Sequence, residues 1–248
     1  MLRKALLLVM FLLPLQAGTS LYNLNFDTWS RSKGCWNPYP ANATASQRVW
    51  DTANPGLSKL GVNSTLPEYE HVAVPGKGKA AARIESKNVL WAFVAGSMYN
   101  GRFIRVVGVS GAEMELGVPF TERPARFSGY YHYIPGTVDY AKPPYEGMKG
   151  KKDVARIDVL LMDWTAPYRM TTNTDSFLDG DKDPHVIGRA LVDIDHGTDD
   201  YVHFDVPFEY RSDRKPGYII ITAASSRYGD RFTGADGSVL YIDEFRLD

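Results

Sequence analysis

Residues 116–135 read LGVPFTERPARFSGYYHYIP, and the second half of this stretch alternates. Every second residue from Phe127 to Tyr133 is aromatic or glycine, while the set from Arg126 to His132 is mostly polar. Side chains of a strand point alternately to its two faces, so the two sets face opposite sides. Aromatic residues suit a half-buried, pleated surface. The stretch therefore predicts a long strand with one buried face.

Prolines mark both ends of this strand. Pro124 cannot donate a hydrogen bond to a sheet, so we expect a bend at residues 123–125, after an earlier strand that ends near Glu122. Pro135 and Gly136 are expected to end the long strand. The stretch thus predicts two strands joined by a corner, the second of them central in its sheet.

Extended runs separated by Gly, Pro, Asn and Asp recur along the chain, without an amphipathic helix longer than a turn or two. About eleven such strands predict an all-β fold, an antiparallel β-sandwich or jelly roll forming a single domain. Three longer segments, 30–75, 135–153 and 162–184, do not fit strands, and long connections of this kind are often functional. The expected strands are 22–26, 80–85, 89–94, 102–107, 112–117, 126–133, 155–161, 186–194, 201–208, 218–223 and 239–247.

The N-terminal residues have the character of a targeting segment. A basic start, an apolar run over residues 5–15 and small residues at 17–20 follow one another in the order of a secretory signal peptide. The run is shorter than the roughly 18 residues that cross a membrane. We therefore expect residues 1–20 to be a signal peptide and residues 21–248 to be the exported domain, which is periplasmic, on the cell surface or secreted.

Composition narrows the classes of partner. The chain has 28 basic and 29 acidic residues and no basic block, so nucleic acid is not an expected partner. Its single cysteine, Cys35, excludes an internal disulfide and a multi-cysteine zinc site. Cys35 also lies beyond the apolar run, so a lipoprotein anchor is not expected. Aromatic residues make up 12% of the chain, which favours some rings being exposed for ligand contact.

Nine stretches, which cover nearly the whole mature chain in order, resemble one family. They are NFDTW (25–29), WDTAN (50–54), AARIESK (81–87), AGSMYNGRF (95–103), GVPFTERPARFSGYY (117–131), FEYRS (208–212), KPGYIIITAASS (215–226), YGD (228–230) and LYIDEF (240–245). The set resembles the "putative carbohydrate metabolism domain" (PCMD) family of glycan-degrading gut bacteria. The resemblance implies a galactose-binding-like jelly roll at or beyond the cell envelope, associated with carbohydrate binding or breakdown. Relatives often carry an immunoglobulin-like domain before this one.

A sugar-binding site needs flat aromatic surface for the apolar face of a pyranose and planar polar groups for its hydroxyls. Aromatic residues in the expected loops are candidates for the surface, and Asp51 and Asn54 would supply polar groups next to one of them. The alternative is that these rings pin the long loops onto the sandwich, because large aromatic residues are mostly buried. The candidate rings are Trp36, Trp50, Tyr99, Trp164 and Tyr168.

Charged residues on strands are further candidates. Arg83 and Glu85 share one strand face, and Glu122 lies at the predicted bend, so all three could bind sugar hydroxyls. A salt bridge between strands is the alternative. If the protein is a glycoside hydrolase, Glu85 and Glu122 are its candidate carboxylates. They would then need to lie about 5–5.5 Å apart for retention or about 6.5–9.5 Å apart for inversion.

The resemblance also implies a structural ion between the first and last strands of the jelly roll. Asp27 and Asp243 are the candidate ligands, and carboxylate oxygens suit calcium. The alternative is that both acids cap strand ends. No other cofactor is expected.

Three functions remain open from the sequence. The first is an exported domain that binds an oligo- or polysaccharide without catalysis. The second is a glycoside hydrolase of the same fold. The third is a structural or adhesive envelope protein that uses exposed edges to bind protein partners.

Overall fold

The structure is a computed structural model that describes residues 21–90, 92–108, 111–172 and 177–248. The predicted signal peptide, residues 1–20, lies outside the described residues and stays a prediction. Within them, no helix has the length and apolar character needed to cross a bilayer. The regular structure they contain is almost entirely β, with one four-residue α-helix, α1 (Asn54–Leu57).

The strands are short and are spread along the described chain. They are β1 (Ser30–Ser32), β2 (Cys35–Asn37), β3 (Trp50–Thr52), β4 (Thr65–Glu68), β5 (Ala81–Glu85), β6 (Lys87–Val89), β7 (Ala92–Val94), β8 (Ser97–Val107), β9 (Gly111–Leu116), β10 (Val118–Pro119), β11 (Arg126–Ile134), β12 (Ala155–Met162), β13 (Tyr168–Thr171), β14 (Val186–Ile194), β15 (Val202–Pro207), β16 (Glu209–Tyr210), β17 (Tyr218–Ala224) and β18 (Val239–Leu247). Four turns of 3₁₀-helix lie between them, at Ala45–Gln47, Ser58–Leu60, Glu146–Met148 and Gly229–Arg231.

One layer of the sandwich is a five-stranded antiparallel sheet in the order β15-β11-β18-β5-β4. Strand β11 has a partner on each side, because Phe127 lies opposite Val206 of β15 and Tyr131 opposite Ile242 of β18. Phe127 is fully buried, as the alternation predicts. The prediction of a long central strand after a proline corner is therefore confirmed.

The second layer is a nine-stranded sheet in the order β13-β9-β8-β17-β12-β14-β16, to which β3 and β10 add at the side. Strand β12 is central here, since Val159 lies opposite Ala190 of β14 and Ile221 of β17. The pairs in both sheets are antiparallel. The two sheets together confirm the all-β, antiparallel sandwich predicted from the sequence.

The core lies between the two sheets and takes residues from both inner faces. It includes Phe26, Trp50, Phe127, Tyr133, Ile157 and Ile221. A second apolar cluster lies on the opposite face of the nine-stranded sheet, which we call the outer face. It consists of Tyr99, Leu116, Leu160, Met162, Met170, Val186 and Ile220. Half of the alternating residues of β12 and β17 thus face a second, smaller packed region.

Two expected strands are wrong. Residues 89–94 are not one strand, because Val89 of β6 lies opposite Ala92 of β7 in an antiparallel pair. The other is residues 22–26. This segment is a turn in which Asn23 and Phe26 have positive φ angles of 57° and 52°. The side chain of Asn23 accepts a hydrogen bond of 2.9 Å from the backbone N–H of Thr28 and donates one to its carbonyl oxygen. Asparagine side chains that bond to nearby backbone in this way stabilise turns at the expense of strands.

Candidate functional site

A cavity of about 320 Å³ lies on the outer face of the nine-stranded sheet, and we call it the outer cavity. Its apolar lining includes Tyr99, Leu116, Leu160, Met170, Phe177 and Ile220. Its polar lining includes Arg156, Asp158, Thr222, Ser226, Arg227 and Asp230. Ligand sites in proteins are typically concave and mostly apolar, with a few polar groups that orient the ligand. The outer cavity has this composition.

Alternation along β12 and β17 builds the floor of the outer cavity. In β12, Ile157 and Val159 point into the core, so Arg156 and Asp158 point to the outer face. In β17, Thr222 occupies the same face and lies opposite Asp158 in the register of the two strands. Polar side chains of two neighbouring central strands therefore lie side by side on the cavity floor.

Ion pairs hold the charged residues of the floor in place. Asp158 binds the guanidinium of Arg189 with both oxygens, at 2.8 Å from Nε and 2.7 Å from Nη2. Arg156 and Arg227 share Asp193, whose Oδ1 lies 2.7 Å from Arg156 Nε and whose Oδ2 lies 3.4 Å from Arg227 Nη1. A guanidinium bound to a carboxylate through two atoms is fixed in orientation. The charged edge of the cavity is therefore largely ordered before a ligand binds.

Two donors beside the outer cavity have no hydrogen-bond partner within the described part of the chain. They are the hydroxyl of Tyr99 and Nε of Arg227, and both atoms are buried. Burial also raises the pKa of the Tyr99 hydroxyl well above its ordinary value, so this group stays protonated. Most buried polar groups in folded proteins are hydrogen-bonded, so an exception next to a cavity points to a missing partner.

Trp164 and Tyr168 form a stacked pair on the outer face, beside the outer cavity but outside its lining; Tyr168 lies opposite Leu116, which does line the cavity. Their ring centroids are 5.1 Å apart and the rings are 21° from parallel. Both rings are half-buried and pack against the apolar cluster that includes Leu116 and Ile220. The structure therefore brings together three of the five predicted aromatic residues, because Tyr99 belongs to the same cluster.

Trp50, a further predicted ligand residue, lies elsewhere. Its side chain is completely buried between the sheets, and its ring centroid is 5.3 Å from that of Phe26. The indole Nε1 donates a 3.1 Å hydrogen bond to the carbonyl oxygen of Asn23. The interpretation of Trp50 as an exposed sugar platform is wrong, because its ring is packed in the core and its N–H group is hydrogen-bonded there.

Asn54 is also buried, and its side-chain amide forms its hydrogen bonds with backbone groups. Its amide nitrogen donates to the carbonyl oxygens of Trp36 and Thr65, at 2.9 and 2.6 Å, and its oxygen accepts from the N–H of Ser64 at 2.9 Å. A side chain with all its bonds made to backbone joins segments of loop and has none left for a sugar. The predicted ligand role of Asn54 is wrong for this reason.

Trp36 is half-buried on β2, outside the lining of the outer cavity. The guanidinium carbon of Arg31 lies 5.7 Å from its ring centroid, and its backbone N–H donates to Asn63 at 3.0 Å. The ring therefore covers the small β1–β2 sheet and does not join Trp164 and Tyr168 in one surface.

Asp51 has a distinct electrostatic environment on β3. One of its oxygens accepts from the N–H of Phe103 and the other from the N–H of Thr52, both at 2.8 Å. Burial raises the pKa of Asp51 to about 6, although these bonds and the nearby Arg102 and Arg48 oppose the rise. Asp51 thus binds local backbone and does not extend to the cavity.

The raised pKa of Asp51 makes stability depend on pH. The folded pKa of about 6 lies above the ordinary 3.8, so the folded state binds the proton more tightly than the unfolded state does. The free energy of unfolding should therefore fall by up to about 3 kcal/mol as pH rises from about 4 to about 6. Denaturant titrations across this window should show this component in the wild type and not in Asp51→Asn. Identical pH profiles for the two proteins would contradict the assignment.

Arg83 and Glu85 form an ion pair within β5, on the outer surface of the five-stranded sheet, and not the salt bridge between strands that was the alternative to sugar binding. Arg83 Nη1 lies 2.7 Å from Glu85 Oε2, and the ammonium of Lys87 lies 2.5 Å from the same oxygen. Burial acts to raise the pKa of Glu85, but the hydrogen bonds from Arg83 and Lys87 outweigh it and lower the pKa. Glu85 is therefore held as a carboxylate and is a poor proton donor.

Glu85 and Glu122 lie at opposite ends of β18. Glu85 is opposite Val239, whereas Glu122 lines a separate depression together with Leu247 and Asp248. Eight residue steps from 239 to 247, at a rise of about 3.3 Å per residue, place the two ends roughly 26 Å apart. The prediction that Glu85 and Glu122 form a catalytic pair is wrong, because the sheet register separates them far beyond the spacing of glycosidase carboxylates.

Asp27 and Asp243, the expected calcium ligands, do approach each other beside Gly78. A Cβ atom placed on Gly78 would lie 3.5 Å from Asp27 Oδ1, 3.9 Å from Asp243 Oδ2 and 3.7 Å from Glu244 Oε1. However, Asp27 Oδ1 accepts the N–H of Ala80 at 3.0 Å, and Asp243 Oδ2 accepts that of Ala73 at 2.9 Å. In residues 21–90, 92–108, 111–172 and 177–248, no three Asp, Glu, His or Cys side chains are arranged to hold a metal ion. Two carboxylates that already accept backbone N–H groups supply few of the six to eight oxygens that calcium takes, and calcium binding here stays a prediction.

The polar floor of the outer cavity is what the interpretation of the sequence missed. The residues concerned lie within expected strands that are otherwise apolar: Arg156, Asp158 and Thr222. The signal was present in the alternation of Arg156 and Asp158 with Ile157 and Val159. Charged residues on alternate positions of a strand with one apolar face mark a second face with its own chemistry.

Comparisons with solved structures identify two similar proteins of Bacteroides, both described as putative glycoside hydrolases. The first, from Bacteroides thetaiotaomicron VPI-5482, has 21% sequence identity and a TM-score of 0.66, over 91% of this chain and 70% of that one. The second, from Bacteroides vulgatus ATCC 8482, has 20% identity and a TM-score of 0.66, over 90% of this chain and 96% of that one. At this identity the likeness shows the fold.

A more distant similarity is to a carbohydrate-binding module solved with β-1,4-galactotriose, at 13% identity and a TM-score of 0.30, over 79% of this chain and 94% of that one. A search of curated proteins found no match. The profile of the family described as "putative carbohydrate metabolism domain" matches residues 25–248, which is nearly all of the described chain. The chain therefore belongs to the putative carbohydrate metabolism domain family, and it is a carbohydrate-related domain with an antiparallel β-sandwich fold.

Proposed function

We propose that this protein binds an oligo- or polysaccharide at the outer cavity. Sugar recognition combines ring stacking with hydrogen bonds to hydroxyls, and the outer face offers rings beside the cavity and polar groups within it. The Trp164–Tyr168 pair supplies aromatic surface, and Asp158, Arg156 and Thr222 supply polar groups on the floor. Export, predicted from the first twenty residues, would bring this cavity into contact with glycans outside the cytoplasm.

One observation carries the proposal. The hydroxyl of Tyr99 and Nε of Arg227 are buried donors without partners in the described chain, and both residues line the outer cavity. A sugar hydroxyl is small, uncharged and both donor and acceptor, so it suits a neutral phenol and a guanidinium N–H at the same time. Both atoms lack exposed surface in this structure, so they favour a ligand rich in hydroxyl groups if the side chains that cover them shift on binding.

The state of the cavity carboxylates favours binding without catalysis. Both oxygens of Asp158 are bound to Arg189, which weakens the carboxylate as a nucleophile or base. Asp230, at the edge of the cavity, differs: partial burial raises its pKa although Arg231 Nε lies 3.9 Å away, so Asp230 is the cavity carboxyl that would suit a proton donor if the protein were a hydrolase. Hydrolysis remains the second candidate function, and assays of reducing-sugar release distinguish it from binding.

The stacked pair gives the direct test of the proposed function. Replacing both Trp164 and Tyr168 by alanine should weaken binding of a glycan by at least about tenfold, equivalent to about 1.4 kcal/mol, because the stacking surface is lost. The ligand would first be identified on a glycan array, and its affinity then measured by titration calorimetry.

The matched control is Tyr69→Ala, which removes an exposed tyrosine that follows β4 in the other sheet. This variant should bind as the wild type does. An array without any bound glycan, or a Trp164→Ala/Tyr168→Ala variant with unchanged affinity and fold, would refute binding at the outer cavity. Concentration-dependent assembly without any response to glycan would support the structural or adhesive alternative instead.

A further inference from the structure

A second stacked aromatic pair lies beside the outer cavity. Tyr145 and Tyr228 have ring centroids 4.2 Å apart and rings 24° from parallel. Both are half-buried, and the guanidinium carbon of Arg227 lies 5.3 Å from the centroid of Tyr228. Arg227 itself lines the outer cavity, as do Gly229 and Asp230, which follow Tyr228 in the chain. The pair is therefore continuous with the edge of the cavity.

The two stacked pairs mark opposite ends of β17. The carbonyl oxygen of Trp164 lies against Gly217, just before β17 begins, so closely that a Cβ atom on Gly217 would clash with it. Tyr228 follows Ala224, the last residue of β17, by four positions. Six residue steps within β17, at about 3.3 Å each, separate the two ends by roughly 20 Å. The floor residues Ile220 and Thr222 lie between them.

We propose that the ligand is the extended chain of a linear oligosaccharide, which runs along β17 with a sugar ring at each stacked pair and its central units over the outer cavity. This inference rests on the proposed function of the outer cavity. All four rings are half-buried, and stacking restrains each ring, so each pair can act as a rigid platform at little cost in side-chain entropy. Two platforms separated by the length of a strand cannot be filled by one sugar unit.

The polar groups between the platforms fit the same ligand. A linear chain places hydroxyls along both of its edges, and the floor offers Asp158 and Arg156 on one strand and Thr222 on the next. Tyr99 lies opposite Thr222 on the neighbouring strand β8, level with Asp158, and Arg227 lies beyond the end of β17, on the side of Tyr228. Each additional unit then adds contacts in a fixed register, and affinity should rise with the length of the chain.

The experiment uses oligosaccharide ladders, from the disaccharide to the hexasaccharide, of β-1,4-xylan, β-1,4-glucan, β-1,4-galactan and β-1,3-glucan. Titration calorimetry of the mature protein should show affinity that rises at least about tenfold from the shortest to the longest bound member of one ladder. Tyr145→Ala should remove most of this rise and leave the affinity for the shortest bound member unchanged. Tyr145→Phe should retain the rise, because the stacking surface remains, and Tyr69→Ala serves as the surface control.

The outcomes separate this inference from the proposed function. Equal affinity for all members of a ladder, or a Tyr145→Ala variant that binds the hexasaccharide as the wild type does, would overturn the extended ligand while binding at the outer cavity stands. If no ladder member and no glycan on the array binds, the proposed function fails and the extended ligand with it. Thermal unfolding of each variant shows that the fold is intact.

Discussion

Trp50→Ala is expected to lower the free energy of unfolding by about 3–5 kcal/mol, the range for removing a large buried aromatic side chain. Trp50 has no exposed surface, and its ring packs against Phe26 at the centre of the sandwich. The substitution would leave a cavity in the core and remove the hydrogen bond from the indole N–H to Asn23. Urea denaturation followed by far-ultraviolet circular dichroism measures the change directly.

Trp50→Phe is the matched control for this prediction. It keeps an aromatic ring and loses the N–H donor, so the loss of stability should be smaller than in the alanine variant. Both variants should lose glycan affinity only to the extent that they unfold. A Trp50→Ala protein of wild-type stability with selectively weakened glycan binding would contradict the assignment of Trp50 to the core.

Asp153→Ala is also expected to lower the free energy of unfolding by about 3–5 kcal/mol. The carboxylate is buried, and its Oδ2 accepts hydrogen bonds from the hydroxyls of Ser226 and Ser238, at 2.6 and 2.8 Å, and from the N–H of Ala235 at 2.8 Å. Its Oδ1 accepts from the N–H of Val154 at 2.8 Å. Alanine would remove the acceptor of four donors, among them the buried N–H of Ala235 and the buried hydroxyl of Ser238, and each buried donor left unsatisfied costs about 1–3 kcal/mol before the structure relaxes.

Two further variants define this result. Asp153→Asn keeps the shape and one acceptor oxygen, so its loss of stability should lie between those of the wild type and the alanine variant. Asp199→Ala removes an exposed carboxylate and should change stability by less than about 0.5 kcal/mol. Thermal and urea unfolding of the wild type and the three variants, under the same conditions, ranks their stabilities. Equal stability of Asp153→Ala and Asp199→Ala would show that the buried network does not depend on the carboxylate.

The layer architecture could be predicted from the sequence because local patterns encode it. The alternation from Phe127 to Tyr133 is a property of adjacent residues, and a strand with one apolar face needs a partner layer to cover that face. The turn at residues 22–26 was missed because the side-chain bonds of Asn23 override the strand propensity of its neighbours. Local competition of this kind is visible only once the partners of a side chain are known.

The candidate site was harder to predict because it depends on distant pairings. Trp50 and Trp164 are both tryptophans in segments rich in turn signals. In the fold, Trp50 lies on β3, which pairs with β8, and its side chain is fully buried. The separation of Glu85 from Glu122 follows from the register of β18, which no local pattern specifies. By contrast, Arg156 and Asp158 could have been identified, since their alternation with apolar residues lies within one strand.

Ser226 belongs both to the lining of the outer cavity and to the buried network around Asp153. Its hydroxyl also lies 2.8 Å from that of Ser86, which in turn lies 2.9 Å from that of Ser225. The end of the cavity nearest Tyr228 is thus anchored to polar groups from several distant segments of the chain. Local fluctuations that admit solvent to this network would distort the outer cavity. The saccharide binding proposed for this cavity should therefore weaken on warming before the sandwich unfolds as a whole.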